Sequence, residues 1–258
     1  MTSKIFDLTG KVALLTGSSK GMGKAMAEGL AEHGAKVVIS SRKLDQCEGV
    51  AAEINAAYGE GSAIAIACNI GYKEQLQQLV DETKERLGPI DILVANAGVN
   101  PFYGPMSEIP DSAFDKIFAS NVKSNHWLSQ MVSKDMLAKG EGSIMITSSV
   151  GAFSASDTLG TYNMTKLADI ALVRNLALEM GPQGVRVNAI CPGLIKTDFA
   201  KALWDNPEAL KRANEQIPLR RLGEAEDFKG IAVFLASSAS AYVTGQAMTV
   251  CGGSNMWA

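Results

Sequence analysis

The sequence predicts a single α/β domain over residues 1–258, built on a doubly wound parallel sheet of seven strands with helices on both faces. Short β-branched runs that are apolar on both faces alternate with segments of helical periodicity, as is typical of buried parallel strands and their crossover helices. No tandem repeat or low-complexity linker divides the chain. The whole chain therefore reads as one folding unit.

Seven apolar runs mark the predicted strands. In chain order they cover 12–16, 36–40, 63–68, 90–95, 143–147, 185–190 and 247–250. Alternation of such strands with helices gives right-handed crossovers and a Rossmann-type winding. In sheets of this kind ligands bind at the carboxyl ends of the strands, so polar residues that follow the runs are the candidates for function.

Three helical segments have clear signals. Apolar residues recur at spacings of three and four between 76 and 87, and Gly88-Pro89 ends that helix. Two longer helical regions are predicted from Asp111 to Ala138 and from Gly160 to Met180.

The bulk composition excludes several classes of function. A formal net charge of −3 gives no electrostatic reason to expect binding to nucleic acid or to an anionic membrane. The four cysteines are widely spaced without a C-x-x-C pair, which indicates reduced thiols and no structural metal site. No stretch approaches the roughly 20 apolar residues of a membrane span, and residues 1–11 lack the apolar run of a signal peptide. We therefore expect a cytoplasmic protein.

A glycine-rich turn, TGSSKGMG, joins the first predicted strand to the first helix. Gly17 allows a tight turn, while Gly21 and Gly23 allow the backbone to approach a pyrophosphate and the helix to pack on the sheet. The helix N-terminus then offers unpaired N–H groups to phosphate. A glycine-rich turn without a ligand remains the alternative, since the spacing departs from the usual G-x-G-x-x-G.

Four further segments lie where predicted strands end or helices begin. They are ANAGVN at 95–100, SSVGAF at 148–153, YNMTK at 162–166 and CPGLIKT at 191–197. Ser149 precedes Tyr162 by thirteen residues, and Tyr162 and Lys166 share one helix face because they are four residues apart.

Together these motifs resemble the short-chain dehydrogenase/reductase family over nearly the whole chain, in T-G-x-x-x-G-x-G, N-A-G, Ser, Y-x-x-x-K and P-G order. The resemblance implies that Tyr162 is the general acid in carbonyl reduction and the base in alcohol oxidation. It implies that Ser149 hydrogen-bonds the substrate oxygen, that Lys166 holds the nicotinamide ribose, and that Asn121 fixes a water of a proton relay. Lys166 and an oxidised nicotinamide are expected to lower the pKa of the phenol.

The resemblance also implies a set of cofactor contacts. They are Gly17, Ser19, Lys20, Gly21, Met22, Gly23, Ser41, Arg42, Asn69, Ile70, Asn96, Ala97, Gly98, Tyr162, Lys166, Pro192, Gly193, Ile195 and Thr197. Asn69 stands where the family often has Asp, and its side-chain oxygen is still an acceptor.

The end of the second strand, VVISSRKLD, selects between two cofactors. Ser41 occupies the position at which NAD-dependent relatives carry a carboxylate that would repel a 2′-phosphate. Arg42 supplies a guanidinium fork suited to phosphate, and Lys20 adds a second positive charge. These residues predict NADP(H). The alternative is that Arg42 and Lys43 are simply solvated.

Within the family the chain resembles the NADP-dependent carbonyl and retinal reductases of the dehydrogenase/reductase member-four type. That resemblance rests on segments that include NPFYG at 100–104 and PGLIKTDF at 192–199. Apolar loop residues predict a pocket for a bulky, apolar or aromatic ketone or aldehyde, with a lid at about 194–214. The predicted pocket residues are Phe102, Phe153, Leu159, Leu194, Phe199, Leu203 and Trp204. Packing of these side chains on one another or on a neighbouring subunit is the alternative.

Other functions stay open. A 3-oxoacyl-carrier-protein reductase is weakly disfavoured because Gln183 and the KGEG turn at 139–142 offer no basic surface for an acidic carrier. Sugar or hydroxysteroid dehydrogenases are further possibilities, and an NADP-sensing regulator is the non-enzyme alternative. The resemblance alone implies a homotetramer.

Overall fold

The computed structural model describes residues 4–197 and 207–256. Within these ranges a single parallel sheet of seven strands has the order β3-β2-β1-β4-β5-β6-β7, which confirms the predicted fold class. The strands are β1 Val12–Thr16, β2 Lys36–Ser41, β3 Ala63–Ala67, β4 Ile92–Ala95, β5 Gly142–Thr147, β6 Val185–Pro192 and β7 Ala247–Val250.

Eight α-helices lie in the described ranges. They are α1 Gly21–Glu32, α2 Leu44–Tyr58, α3 Lys73–Leu87, α4 Asp111–Phe118, α5 Ser124–Lys139, α6 Gly160–Met180, α7 Pro207–Gln216 and α8 Lys229–Ala236. None of these helices has the length and apolar character that crossing a membrane requires.

Both faces of the sheet are buried, which explains why the strand sequences are apolar throughout rather than alternating. Leu14 belongs to a core cluster with residues of α3, α5 and α6. Its neighbour Leu15 belongs to a second cluster with residues of α1, α2 and α8. Successive side chains of β1 therefore point to opposite faces of the sheet, and both faces are buried there.

Two strands extend beyond their predicted ends. β2 continues to Ser41, which pairs with Ala67, and β6 continues through Cys191 to Pro192, which pairs with Val250. The apolar runs ended earlier because these last residues include a serine, a cysteine and a proline. Their inclusion matters for function, because the carboxyl ends of parallel strands meet at one edge of the sheet.

The predicted helical region from Asp111 to Ala138 is interrupted. A π-helical segment, Ala119–Lys123, separates α4 from α5. Such one-turn π segments insert an extra residue and often occur at functional sites. Here the segment carries the buried Asn121. The other long helix, α6, has the predicted bounds.

Asp91, just before β4, connects the start of β1 to the end of α5 at the amino edge of the sheet. Its backbone N–H donates to the carbonyl of Val12 at 2.9 Å, and its side-chain Oδ2 accepts from the Val12 N–H at 2.9 Å. Its other carboxylate oxygen is bound by the Lys139 ammonium at the end of α5. Asp91 is 7% exposed, so water has little access to its carboxylate and could not readily take the place of these partners.

We predict that Asp91→Ala lowers the free energy of unfolding by about 1–3 kcal/mol, because the buried Val12 N–H loses its side-chain acceptor. Urea unfolding followed by circular dichroism measures this change. Glu141→Ala is the matched control, since Glu141 pairs with Lys11 through a largely exposed carboxylate. That control should change stability by less than about 0.5 kcal/mol. Equal losses in the two variants would contradict the assigned role of Asp91.

Candidate active site

The glycine turn between β1 and α1 has the geometry of a phosphate cradle. Gly17 and Gly21 have positive φ angles of 64° and 57°. A Cβ at Gly23 would collide with the Gly17 carbonyl oxygen, so only glycine fits there. Lys20, the residue that precedes α1, makes no side-chain capping hydrogen bond to the first turn. The side chain of that residue therefore does not occupy the first N–H groups of α1. N–H groups at a helix N-terminus can donate to phosphate oxygens, so the turn fits a pyrophosphate.

Asn96 holds the end of β4 against this turn. Its side-chain Nδ2 donates to the carbonyls of Gly17 at 3.0 Å and Thr16 at 3.2 Å. The Thr16 hydroxyl in turn accepts from the N–H groups of Asn96 and Ala97. These bonds place Ala97 directly beside Gly17. A Cβ added to Gly17 would lie only 2.9 Å from the Ala97 Cα. The structure thus brings the predicted N-A-G segment to the predicted phosphate turn.

The end of β2 is tied to the same turn through Ser18. The Ser18 N–H donates to the Ser40 carbonyl at 3.1 Å, and its hydroxyl accepts from the Ser40 N–H at 2.9 Å. Ser41 and Arg42 follow immediately. Arg42 is exposed and makes no hydrogen bond or ion pair with any residue in the described ranges. A guanidinium at this position is available to an anionic ligand.

The segment after β6 lies across the glycine turn. A Cβ at Gly21 would touch the Thr197 side chain at 3.4 Å. Ile195 is buried and pairs in a parallel bridge with Gly223, and Gly193 packs on the backbone of Cys251. The predicted lid therefore starts from an anchored segment, and α7 lies farther along it.

The remaining predicted cofactor contacts lie on neighbouring strand and helix ends. Asn69 and Ile70 follow β3, and the Asn69 side-chain oxygen accepts from the Gly71 N–H at 3.1 Å. One lone pair of that oxygen is thus already engaged, while an amide oxygen offers two. Ser19 and Met22 are half-buried in the glycine turn, and Met22 packs against the core on the α1 side.

The three reactive side chains meet at the end of β5. Helix α6 presents Tyr162 and Lys166 one turn apart, with the Lys166 Nζ 5.6 Å from the centre of the phenol ring. The Lys166 ammonium donates to the Thr147 carbonyl at 2.8 Å. Ser149 lies two residues after Thr147, and its side chain hydrogen-bonds the phenol of Tyr162. Its hydroxyl also accepts from the Gly151 N–H at 3.0 Å, which fixes its orientation.

Asn121 connects the π-helical segment to the loop after β4. Its Oδ1 accepts from the Val99 N–H at 2.8 Å, and its Nδ2 donates to the Val99 carbonyl at 3.0 Å and to the Thr165 hydroxyl at 3.2 Å. A Cβ at Gly98 would lie 3.4 Å from the Asn121 Oδ1 and 3.8 Å from the Lys166 Nζ. All four predicted catalytic residues thus cluster around one point.

A further ionisable residue of this cluster, Asp169, was not predicted. It is fully buried, and its Oδ2 lies 3.0 Å from the Lys166 Nζ. Its Oδ1 accepts from the Asn125 Nδ2 at 2.9 Å. The only local signal in the sequence is the spacing of three residues between Lys166 and Asp169, which places them on one helix face.

The pKa of the Tyr162 phenol is higher than its ordinary value. Burial is the largest cause, the Lys166 ammonium opposes it, and the Asp169 carboxylate adds to it. The predicted downward shift is therefore wrong for the chain by itself. That expectation included the ammonium and an oxidised nicotinamide, but it left out the burial of the phenol and the Asp169 carboxylate.

The pKa of Lys166 is also raised. Burial alone would lower it, but the charge of Asp169, the phenol of Tyr162 and the hydrogen bond with Asp169 together outweigh burial. Lys166 is therefore a stable ammonium at neutral pH, even though only 3% of its surface is exposed.

The predicted pocket residues divide into two groups. Phe102, Phe153, Leu159 and Leu194 are half-buried, and Phe153 packs against the core cluster of α3, α5 and α6. The loops that carry them are joined where the Gly104 N–H donates to the Thr158 carbonyl at 3.0 Å. Phe199, Leu203 and Trp204 lie outside the described residues, as does the middle of the predicted lid.

Comparison with known proteins agrees with this architecture. The family model described as enoyl-(acyl carrier protein) reductase matches residues 17–255. The chain is 40% identical over 248 residues to dehydrogenase/reductase SDR family member 4 of Bos taurus, which covers 96% of this chain and 88% of that protein.

Two solved structures of similar proteins contain a dinucleotide. Gluconate 5-dehydrogenase from Burkholderia cenocepacia, in complex with NADP and tartrate, has a TM-score of 0.93 and 30% identity over 99% of both chains. A 7α-hydroxysteroid dehydrogenase complexed with NADH and 7-oxoglycochenodeoxycholic acid also has a TM-score of 0.93, with 37% identity over 98% of this chain and 97% of the other.

Sequence, fold and site geometry lead to the same conclusion. The glycine turn fits the pyrophosphate of NAD(P), and a phenol, a serine hydroxyl and a buried ammonium lie together at the same edge of the sheet. The chain belongs to the short-chain dehydrogenase/reductase family and is an NAD(P)-dependent oxidoreductase similar to the member-four dehydrogenase/reductases.

Proposed function

We propose that this enzyme uses NADP(H) to reduce a bulky, apolar or aromatic ketone or aldehyde to the alcohol, reversibly. The observation that carries the proposal is the Ser149–Tyr162–Lys166 cluster, which lies at the carboxyl edge of the sheet together with the glycine turn. A chain that only senses a dinucleotide has no need for a phenol, a serine and a buried ammonium in contact.

The chemistry divides between cofactor and protein. The nicotinamide cofactor, when bound, supplies the hydride. Tyr162 donates its phenolic proton to the carbonyl oxygen during reduction and accepts the alcohol proton in the reverse direction. Ser149 donates a hydrogen bond to the same substrate oxygen, a role that suits a hydroxyl already oriented by the Gly151 N–H.

Lys166 and Asn121 support this proton transfer. An ammonium near the phenol stabilises phenolate and so makes the proton easier to release. Two of the three Lys166 protons are used by Thr147 and Asp169, which leaves one for the nicotinamide ribose. Asn121 holds the loop after β4 beside Lys166 and is proposed to fix a water of the proton relay.

The proposed preference for NADP(H) rests on the end of β2. Ser41 places no carboxylate where a 2′-phosphate would lie, and the exposed Arg42 offers a bidentate partner for it. The NADP in the gluconate 5-dehydrogenase complex agrees with this preference, whereas the hydroxysteroid dehydrogenase complex contains NADH. The remaining proposed cofactor contacts are those named from the sequence.

Three substrate classes are supported by different observations. The apolar character of Phe102, Phe153, Leu159 and Leu194 favours a bulky carbonyl compound, and the proposed lid over 194–214 would close on it. The similarity to gluconate dehydrogenases favours a sugar acid as the second candidate. A carrier-bound 3-oxoacyl thioester is the third, since the matching family model, described as enoyl-(acyl carrier protein) reductase, also refers to a carrier-bound substrate.

We also propose a homotetramer in the cytoplasm, without nucleic-acid or membrane partners. Exposed apolar side chains on α6 support association through this helix: Met164 is 44% exposed, Leu167 52% and Leu178 81%. Large apolar side chains at an exposed helix face are typical of a subunit interface.

We predict that Tyr162→Phe abolishes carbonyl reduction, with kcat reduced at least 100-fold, about the lower limit for loss of a general acid. Binding of NADPH, measured by fluorescence titration, should change little because the phenol ring remains. Tyr58→Phe is the matched control, since Tyr58 lies exposed at the end of α2. Retained turnover in Tyr162→Phe would overturn the proposed mechanism.

NADPH should exceed NADH at least about tenfold in kcat/KM, as expected from one charge-assisted contact of about 1.5–3 kcal/mol. Arg42→Ala should remove most of this preference by raising the KM for NADPH and leaving that for NADH nearly unchanged. Lys43→Ala, the exposed neighbour, controls for the general loss of positive charge. Equal use of both cofactors by the wild type would refute the assignment of Arg42.

A substrate panel with NADPH separates the three classes. We predict faster reduction of aryl ketones and diketones than of 5-ketogluconate, glucose-derived ketones or acetoacetyl thioesters. The order follows from an apolar pocket, which offers no compensation for desolvating hydroxyl or carboxylate groups. Measured kcat/KM values decide, and a higher value for 5-ketogluconate would favour the sugar-acid candidate.

A further inference from the structure

The buried carboxylate of Asp169 has no role in the mechanism described so far. It accepts one hydrogen bond on each oxygen, from Lys166 at 3.0 Å and from Asn125 at 2.9 Å. Asn125 also donates to the backbone carbonyl of Asn121 at 2.6 Å. A continuous chain of contacts therefore runs from the π-helical segment through Asn125 and Asp169 to the ammonium beside Tyr162.

Stability alone gives a weak reason for this arrangement. Replacing a buried ion pair by apolar residues of similar volume is often neutral or stabilising, because both charges must be desolvated. Asp169 and Lys166 are both buried, so their desolvation is nearly complete. Lys166 cannot become apolar if it serves the cofactor and the phenol, and its charge then requires a partner inside the protein.

We propose that Asp169 is a positioning residue, which holds Lys166 as an ammonium at a fixed place beside Tyr162. The proposal rests on the proposed function, in which Tyr162 and Lys166 act together. Asp169 orients Lys166 through their contact on the same helix face, and Asn125 orients Asp169. The π-helical segment is thereby coupled to the active-site helix.

The charged and titratable groups around Lys166 are few. Asp169 and Tyr162 lie on its own helix, α6, and the thiol of Cys191 faces it from β6. Burial raises the pKa of Cys191 to about 11, so this thiol stays neutral over the working range. Helix α5 contributes the uncharged Asn125, and β5 contributes the Thr147 carbonyl. Asp169 is therefore the one carboxyl group in contact with the ammonium among the described residues.

The effect of removing this charge on pH dependence has a definite sign. Reduction requires a proton on Tyr162 and a proton on Lys166, and these two groups titrate as a coupled pair. A nearby carboxylate makes proton loss from either group harder. Without it, the pair releases its first proton at lower pH, whichever group supplies that proton. The alkaline limit of reduction must then move to lower pH.

Asp169→Asn tests this inference. It removes the charge with little change in volume, and kcat for carbonyl reduction with NADPH should fall about 10- to 100-fold, as expected when a catalytic group is slightly misplaced. The alkaline limit of kcat should move down by at least one pH unit, about a tenfold change in the proton equilibrium. Asp169→Ser also removes the charge, and its smaller side chain has only one hydroxyl to satisfy in the buried site. It should move the limit in the same direction.

Val173→Ala is the matched structural control. Val173 is fully buried one turn along α6 from Asp169, so its truncation destabilises the same helix without changing any charge. This variant should have a lower melting temperature and the wild-type alkaline limit. A similar shift of the limit in Val173→Ala, or no shift in Asp169→Asn, would overturn the positioning role.

Titration of the Lys166 ammonium in the wild-type enzyme tests the proposal without any substitution of Asp169. In protein labelled with ¹³C at the lysine ε-carbon, the Lys166 signal should keep its ammonium shift to a higher pH than a lysine in a model peptide, whose pKa is about 10.4. The Lys166→Met variant assigns the signal. Titration of Lys166 below the model-peptide pKa would refute the proposal.

The outcomes also separate this inference from the proposed function. If Tyr162→Phe keeps its turnover, the assignment of the general acid fails. If Tyr162→Phe is inactive while Asp169→Asn keeps the wild-type kcat and alkaline limit, the proposed function stands and only the role of Asp169 fails.

Discussion

The ammonium of Lys166 must find hydrogen-bond acceptors inside the protein, and much of the active site is arranged around that requirement. Water cannot reach it freely, because the residue is 3% exposed. The Thr147 carbonyl at the end of β5 and the Asp169 carboxylate replace the missing solvent. Thr147 is two residues before Ser149. The bond that satisfies the ammonium therefore also positions the strand end that carries Ser149, the serine proposed to bind the substrate.

The parallel sheet adds a second constraint by gathering distant segments at one edge. β1 lies between β2 and β4 in the strand order, so its glycine turn touches the ends of both neighbours. Asn96 from the β4 end and Ser18 within the turn provide the hydrogen bonds that hold this arrangement. The close approach at Gly23 then excludes any side chain, which accounts for the glycine spacing in physical terms.

Sequence patterns predicted the sheet and the proximity of the proposed catalytic residues because their signals are local. Buried parallel strands show continuous apolar runs, and Tyr162 and Lys166 share a face at helical spacing. The π-helical segment gave no such local signal, and the contact that its Asn121 makes is tertiary, with Val99 in a loop 22 residues away. Asp169 was missed because its other partner, Asn125, lies 44 residues away on α5.

The residues proposed to determine cofactor specificity and those proposed to determine catalysis are physically separate in this fold. Arg42 is exposed at the end of β2, whereas the ammonium and carboxylate pair is buried beside β5, two strands beyond β1 in the sheet order. Screening by water and salt weakens the influence of an exposed charge over such a distance. A buried pair is screened far less, so Asp169 can act strongly on its neighbours while remaining insensitive to the exposed charge that is proposed to select the cofactor. Cofactor preference and acid–base chemistry can therefore change independently in a chain of this architecture.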